Sequence, residues 1–246
     1  MLHMEIKGLS KSFGALRVAD GIDLRIQRGE AVGIIGPNGA GKTTFFNLIA
    51  GDLFGDAGTV VFKGTDVTGW DARERSRACM ARTYQIPQPF HGMTVYENVL
   101  VGAVFAGGRS QSQSRQHCEE ILQQTHLSEF ANTPASSLTL LNRKRLELAR
   151  ALGSSPELLL LDEIAGGLTD AECSDLVKTI LDINAHGVTV IWIEHVVHAL
   201  LEVVNRLVVL NAGSVLRDGE PHRVMRSPDV REIYLGVEPE ADGAGS

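Results

Sequence analysis

Residues 36–44 have the sequence Gly36-Pro37-Asn38-Gly39-Ala40-Gly41-Lys42-Thr43-Thr44. This stretch matches G-x-x-x-x-G-K-[ST], the pattern of a phosphate-binding loop. The residues before it, 31–35, are short, apolar and rich in β-branched side chains, so they predict a buried strand. The residues after it, 42–50, lack internal Gly and Pro and predict a helix. Strand, glycine loop and helix in this order are the structural context in which the motif binds nucleotide.

The residue types of this loop suit a polyphosphate. Glycines let the backbone curl so that successive N–H groups point inward, and a helix N-terminus adds partial positive charge. We expect Lys42 to reach the β- and γ-phosphates, Thr43 to contact Mg²⁺ and Thr44 to contact the α-phosphate. A glycine turn without a ligand is the alternative, and the Lys-Thr pair after a strand argues against it. The predicted nucleotide contacts are Gly36, Pro37, Asn38, Gly39, Ala40, Gly41, Lys42, Thr43 and Thr44.

Length, charge and cysteine count limit the class of protein. The 246 residues suffice for one large α/β domain with a subdomain. The net charge of −7 argues against a general nucleic-acid or anionic-membrane surface. Cys79, Cys118 and Cys173 are far apart and odd in number, which indicates reduced packing residues rather than disulfides or a metal site.

Residues 1–6 and the hydropathy of the chain bear on targeting to a membrane. Residues 1–6 lack a basic region followed by an apolar core, so we expect no signal peptide. No apolar run is long enough to cross a bilayer. Any membrane role is therefore expected to come through a partner.

Strand-like and helix-like segments alternate along the chain. Strands are predicted over residues 4–9, 22–27, 59–62, 81–85, 157–162, 188–193 and 206–210. Helices are predicted over residues 73–77, 95–104, 118–125, 171–185 and 196–204, with a solvated, mobile polar loop over 107–114. Alternating strands and helices predict a parallel sheet covered on both faces. The predicted fold class is α/β: a P-loop NTPase parallel sheet covered by helices, with an N-terminal antiparallel β portion and an inserted helical subdomain.

Two acidic residues follow an apolar strand. Asp162 and Glu163 come directly after Leu158-Leu159-Leu160-Leu161, and a carboxylate at the carboxyl end of a buried parallel strand lies beside the phosphate loop. We expect Asp162 to hold the Mg²⁺ shell and Glu163 to polarise the attacking water, a role worth on the order of 10²–10⁴-fold in rate. Two solvated acids at a strand end are the alternative.

Three further side chains are candidates for the site. His195 and Gln85 each follow or end a predicted strand, and parallel strands end at one edge of the sheet. We expect His195 to contact the γ-phosphate, and Gln85 to touch Mg²⁺ or water and bridge to the helical subdomain. A structural histidine and a solvated glutamine are the alternatives. Phe13, predicted in a loop between the first two strands, either stacks on a nucleotide base or anchors the core.

The order of these motifs resembles the nucleotide-binding subunits of ABC transporters over nearly the whole chain. Phe13 resembles the base-stacking aromatic, residues 36–44 Walker A, Gln85 the Q-loop, residues 158–163 Walker B with its catalytic glutamate, Gly167-Leu168-Thr169-Asp170 the D-loop, and His195 the switch histidine. Within the family, residues 82–85, 145–152, 193–195 and 234–236 resemble branched-chain amino acid importers, with lipopolysaccharide-export ATPases as close siblings.

This resemblance implies a function and its components. The expected activity is ATP hydrolysis coupled to transport, with ATP and Mg²⁺ as cofactors. The expected partners are a second ABC ATPase subunit, with a heterodimer favoured, and transmembrane permease subunits, but no nucleic acid. The expected location is cytoplasmic, peripheral on the inner face of the cell membrane. The alternatives are a non-hydrolysing nucleotide switch and a soluble ABC protein acting on ribosomes or DNA; one Walker A motif and acidic charge argue against the latter.

The resemblance also implies a division of the chain. Residues 1–85 are expected to form the β-rich and Walker A part of the ATPase core. Residues 86–152 are expected to form the helical subdomain with the Q-loop exit and the signature stretch. Residues 153–235 are expected to form the second part of the core, and residues 236–246 are an acidic, glycine-containing tail predicted to be disordered.

One stretch departs from the family pattern. The usual signature is Leu-Ser-Gly-Gly-Gln, and the matching residues here are Leu138-Thr139-Leu140-Leu141-Asn142. In the family this helix N-terminus binds the γ-phosphate held by the opposite subunit. Thr139 keeps a hydroxyl and Leu141 keeps a backbone N–H, so both are predicted nucleotide contacts, while the Leu141 side chain is expected to obstruct close approach. The departure is either a tolerated variant or the mark of an asymmetric dimer.

Overall fold

The computed structural model describes residues 1–106 and 110–235. Its described part contains two β-sheets. The first is antiparallel and has the strand order β2-β1-β4-β5. Its strands are β1 (Leu2–Phe13), β2 (Leu16–Gln27), β4 (Ala57–Phe62) and β5 (Thr65–Asp66). Phe13 is the last residue of β1, so the prediction that it lies in a loop is wrong: β1 and β2 are longer than predicted and pair up to Phe13 and Leu16.

The second sheet forms the centre of the molecule. Its order is β10-β9-β3-β8-β7-β6, and all neighbours except β10 and β9 pair in parallel. The strands are β3 (Ala31–Ile35), β6 (Met80–Arg82), β7 (Leu158–Asp162), β8 (Thr189–Ile193), β9 (Arg206–Asn211) and β10 (Ser214–Gly219). Every residue of β3, β7 and β8 is buried, because helices or the antiparallel sheet cover both faces.

Nine α-helices lie in the described residues. They are α1 (Lys42–Ala50), α2 (Ala72–Arg77), α3 (Val95–Val101), α4 (Gln111–Gln124), α5 (Leu140–Gly153), α6 (Asp170–Ala185), α7 (Val197–Val203), α8 (Pro221–Met225) and α9 (Pro228–Leu235). A π-helical segment, Gly102–Ala106, follows α3, and short 3₁₀ turns occupy Ser128–Phe130 and Ala135–Ser137. Helices α3, α4 and α5 fall between β6 and β7 in the chain, as an inserted helical segment.

Two further sequence predictions of local structure are wrong. The strand predicted over 81–85 ends at Arg82, so Gln85 lies in a bend beyond the sheet. Residues 111–114 of the predicted polar loop are helical, because Ser110 caps α4 and forms a capping box with Gln113. Residues 107–109 of that loop and the predicted disordered tail, 236–246, lie outside the described residues.

Candidate functional site

The phosphate-binding loop joins β3 to α1. Gly41 has a left-handed φ of 96°, and a Cβ at that position would lie 2.3 Å from the carbonyl oxygen of Val18. Gly36 has no positive φ; a Cβ there would lie 2.3 Å from the carbonyl oxygen of Leu210 on β9. Glycine at position 36 is therefore required by close packing against the neighbouring strand, rather than by the curl of the backbone. The two packing contacts fix the loop to both sheets, since Val18 lies on β2 and Leu210 on β9.

The N-terminus of α1 is suited to an anion. Its N-cap, Gly41, provides no side-chain hydrogen bond, so no side chain of the cap satisfies the first backbone N–H groups. Lys42 is buried, and its Nζ donates to the carbonyl oxygens of Gly36 at 2.7 Å and Pro37 at 3.0 Å. Burial lowers the pKa of the Lys42 ammonium, and the negative charge of Glu163 opposes that effect. Thr43 is exposed beside it.

Three of the predicted site residues meet at the carboxyl edge of the parallel strands. Glu163 Oε2 accepts a hydrogen bond from Gln85 Nε2 at 2.6 Å. Glu163 Oε1 lies 2.8 Å from His195 Nε2. Glu163 itself has a left-handed φ of 47°, which is uncommon for a residue other than glycine, and its N–H donates to the carbonyl oxygen of Ile193. A strained backbone at the centre of a polar cluster is typical of functional sites.

Glu194 also belongs to this cluster, although the sequence analysis did not predict a role for it. Its side chain is buried, with the residue only 2% exposed. One oxygen accepts hydrogen bonds from the backbone N–H groups of His195 and Val196, and the other accepts from Ala165. Glu194 therefore fixes the two backbone segments that follow β7 and β8 and carry Glu163 and His195. An acid between a buried strand and His195 was the available signal.

Asp162 ends β7 and is buried. Its Oδ2 accepts a hydrogen bond from Arg82 Nη2 at 2.7 Å, and its backbone N–H donates to Thr83 Oγ1 at 3.3 Å. No hydrogen bond to its Oδ1 is found among the residues that the structure describes. Arg82 was not among the predicted site residues, because an arginine at a strand end carries no signal for its tertiary partner.

The residues at this edge fit Mg²⁺. Within residues 1–106 and 110–235, no group of three His, Cys, Asp or Glu side chains could hold a metal by itself. Mg²⁺ is usually bound by one or two carboxylates together with waters and substrate phosphates, so it needs no such cage. Asp162 supplies a carboxylate with an open oxygen, and Thr43 supplies an exposed hydroxyl.

The altered signature begins α5. Thr139 is the N-cap, and its hydroxyl accepts a hydrogen bond from the N–H of Asn142 at 3.4 Å. Leu140 is 43% exposed, whereas Leu141 is half-buried and packs against the core. Leu140 therefore presents the more exposed side chain, because successive helical residues point about 100° apart. The expectation that Leu141 obstructs close approach stays a prediction. In the described part of the chain, no hydrogen bond joins Thr139 to residues 36–44.

Phe13 remains half-exposed at the end of β1. The residue is 49% exposed, and its ring centre lies 5.8 Å from Lys11 Nζ, so Phe13 is not a core anchor. This position leaves one face of the molecule with an aromatic ring open to solvent. Its role in stacking on a base stays a prediction.

Comparison with protein families identifies the chain. The family model described as ABC transporter matches residues 19–166, which include the phosphate-binding loop and the Asp162-Glu163 strand. The chain belongs to the ABC transporter family. The resemblance to ABC transporter subunits that the motifs indicated is confirmed. As a member of this family, the ABC subunit binds nucleotide. Members of the family hydrolyse ATP and associate with membrane permeases.

Relatives of this ABC subunit are named as ATP-binding proteins of amino acid transport. It is 35% identical to the high-affinity branched-chain amino acid transport ATP-binding protein BraF of Pseudomonas aeruginosa, over 95% of this chain and 97% of the relative. It is 34% identical to the high-affinity branched-chain amino acid transport ATP-binding protein LivG of Escherichia coli K12, over the same shares of the two chains.

Solved structures confirm the predicted fold class. A nucleotide-free ATP-binding cassette of an ABC transporter matches with a TM-score of 0.88 and 30% identity, over 96% of this chain and 100% of the other. A second cassette, solved in its ADP conformation, also has a TM-score of 0.88, with 31% identity over the same shares. Across the described residues of this ABC subunit, no helix is long and apolar enough to span a membrane.

Proposed function

We propose that this chain hydrolyses ATP in the presence of Mg²⁺ and thereby powers the uptake of branched-chain amino acids. The observation that carries the proposal is the contact of Gln85, Glu163 and His195 at the carboxyl edge of the sheet that bears the phosphate-binding loop. The names of the relatives support the choice of solute. The proposed location is the inner face of the cell membrane, through the permease.

The residues of the proposed site have separate chemical roles. The backbone of residues 36–44 and the Lys42 ammonium bind the phosphates. Thr43 and Asp162 would hold Mg²⁺, which would supply positive charge to neutralise the phosphate oxygens. Glu163 orients the attacking water and accepts its proton. Each Glu163 oxygen already has one partner, Gln85 or His195, so the carboxylate is held in place before water arrives. Electrostatic preorganisation of this kind is usually the largest contribution to catalysis.

Phosphate release tests the hydrolytic assignment. We expect Glu163→Gln to lower the rate of phosphate release by on the order of 10²–10⁴-fold, because the general base is lost, while ATP binding stays within about twofold. Equal, near-zero rates in wild type and variant would instead support the non-hydrolysing nucleotide switch. Uptake of radiolabelled leucine by cells with and without the chain tests the solute.

A groove beside the site supports the permease as partner. It has a volume of 430 Å³ and is lined by residues on both sides of position 85, among them Arg82, Tyr84, Phe90 and Arg150. Two of its lining residues, Tyr84 and Phe90, are exposed aromatic side chains. We assign this groove to the permease, so that movement between residues 1–85 and 86–152 is passed to the membrane.

The exposed Leu140 supports a heterodimer. A leucine at this position narrows the approach of a phosphate held by the opposite subunit to the N-terminus of α5. A second, related ATPase with an ordinary signature would complete the site built on this chain's Lys42, Glu163 and His195. ATPase activity of the chain alone, compared with the chain plus that partner, tests this; fast cooperative turnover by the chain alone would contradict it.

A further inference from the structure

The guanidinium of Arg82 lies where three parts of the site meet. Nη2 donates to Asp162 Oδ2 at 2.7 Å, while Nη1 donates to Asn47 Oδ1 at 2.6 Å and to Asp52 Oδ2 at 2.7 Å. Asn47 belongs to α1, the helix that begins at the phosphate-binding loop, and Asp52 follows the end of that helix. One side chain therefore connects the end of β7 with the C-terminal half of α1.

Packing holds this arginine in a single position. Its side chain is 9% exposed, and its guanidinium carbon lies 5.1 Å from the ring centre of Tyr84 and 5.8 Å from that of Phe46. Its Nε is buried without a hydrogen-bond partner in the described structure. A planar guanidinium can stack between rings and donate in two directions, which a lysine ammonium cannot do in the same geometry. Arg82 is thus built into the site, unlike a mobile surface ion pair.

The charges around Arg82 leave the site attractive to a cation. Arg82 has one positive charge, and its two acidic partners, Asp162 and Asp52, have two negative charges between them. The cluster therefore keeps one net negative charge. Because Asp52 offsets the charge of the guanidinium, Arg82 orients Asp162 without cancelling its attraction for a metal.

We propose that Arg82 is a positioning residue for Asp162. It binds Oδ2, fixes the orientation of the carboxylate and leaves Oδ1 free for the Mg²⁺ of the proposed ATPase site. A carboxylate without such a partner rotates about its terminal torsion, and partners that fix the orientation of metal-binding groups typically change metal affinity by about 10- to 100-fold. The inference rests on the proposed function, since it concerns the same site.

Metal binding measured apart from turnover tests the proposal. Mn²⁺ replaces Mg²⁺, and electron paramagnetic resonance measures its affinity for the full chain saturated with a non-hydrolysable ATP analogue. We expect Arg82→Met to weaken Mn²⁺ binding by about tenfold or more, with metal-free binding of the analogue within about twofold of wild type. Arg82→Lys should recover only part of the loss. Arg206→Met, which removes a carboxylate-paired arginine at the amino end of β9, is the control and should leave Mn²⁺ binding unchanged.

A double variant tests whether Arg82 acts through Asp162. The pair Arg82→Met and Asp162→Asn should bind Mn²⁺ no more weakly than Asp162→Asn alone. Additive losses would overturn the proposal.

Unchanged or tighter Mn²⁺ binding in a folded Arg82→Met would also overturn the proposal, tighter binding showing that the guanidinium competes with the metal. If Arg82→Met does not fold, as judged by circular dichroism, Arg82→Lys decides by the same criterion. Absence of nucleotide or metal binding in wild type would instead contradict the proposed function.

Discussion

At the scale of single residues, the chemistry depends on how Glu163 is held. Its left-handed backbone is uncommon for a residue with a side chain, and the hydrogen bond to Ile193 and the contacts with Gln85 and His195 hold it there. The sequence predicted these three side chains because each lies at or near a strand end. It did not predict Glu194, whose only signal was an acid after a buried strand, and it could not predict Arg82, whose role arises only when distant segments meet.

The signature residues give a prediction about turnover. Leu140→Gly should raise the ATPase rate of the chain alone by at least about tenfold, because one lost oxyanion donor costs on the order of 10²–10³ in kcat and the exposed leucine limits such a contact. Leu141→Gly is the matched comparison; it should give no gain and lower the free energy of unfolding by about 2 kcal/mol, because Leu141 packs against the core. If the ATPase rate rises in Leu141→Gly but not in Leu140→Gly, Leu140 is not the residue that limits the contact. Phosphate release and urea unfolding are the measurements.

At the scale of elements, sequence pattern was most informative where segments are buried or carry strong end signals. The predicted bounds of β3 and α1 match the structure. The apolar run of β3 stops at the glycine loop, and Gly51 caps the C-terminus of α1. The pattern failed at 81–85, where strand-forming residues leave the sheet. It also missed β10, α8 and α9, which are short and partly polar. Their existence depends on neighbouring elements more than on local propensity.

Arg75, on α2, contacts the end of α1 and gives a prediction about stability. Its buried guanidinium donates to the carbonyl oxygens of Leu48 and Ile49 at the end of α1, and to those of Val67, Thr68 and Trp70. Burial lowers the pKa of Arg75 to about 10, and Asp52 opposes the effect.

Arg75→Ala should reduce the free energy of unfolding by about 3 kcal/mol or more, because each buried carbonyl left without a donor costs about 1–3 kcal/mol. Arg73→Ala, an exposed position on the same helix, should change it by less than about 0.5 kcal/mol. Equal effects of the two substitutions in denaturant unfolding would contradict this role for Arg75.

At the scale of the whole molecule, a buried histidine lies between the two sheets. His3 on β1 stacks on Phe62 of β4 with ring centres 4.9 Å apart, and its Nδ1 lies 2.6 Å from Thr189 Oγ1 of β8. It is 3% exposed, and burial lowers its pKa below the ordinary value of 6.5 although Glu157 opposes the shift. One histidine thus joins the antiparallel sheet to the parallel sheet.

This histidine predicts a pH dependence of stability. Above pH 6.5 its contribution is fully present; below it, the unfolded chain takes up a proton that buried His3 resists, so the free energy of unfolding falls as pH falls. The slope due to one proton is at most about 1.4 kcal/mol per pH unit. His3→Asn should be less stable at pH 7.5, but its stability should fall less steeply between pH 6.5 and 5. Parallel pH profiles of the two proteins in urea unfolding would contradict the assignment.

The central claim is that the loop at the end of β3 binds a triphosphate beside Glu163. Calorimetric titration of ATP with Mg²⁺ into wild type and Lys42→Ala tests it most directly, because Lys42 is the cation placed in the loop itself. We expect saturable binding by wild type and an affinity at least about tenfold lower in Lys42→Ala, since a hydrogen bond to a charged group contributes about 1.5–3 kcal/mol. No heat of binding in wild type, or the same affinity in both proteins, would contradict the claim.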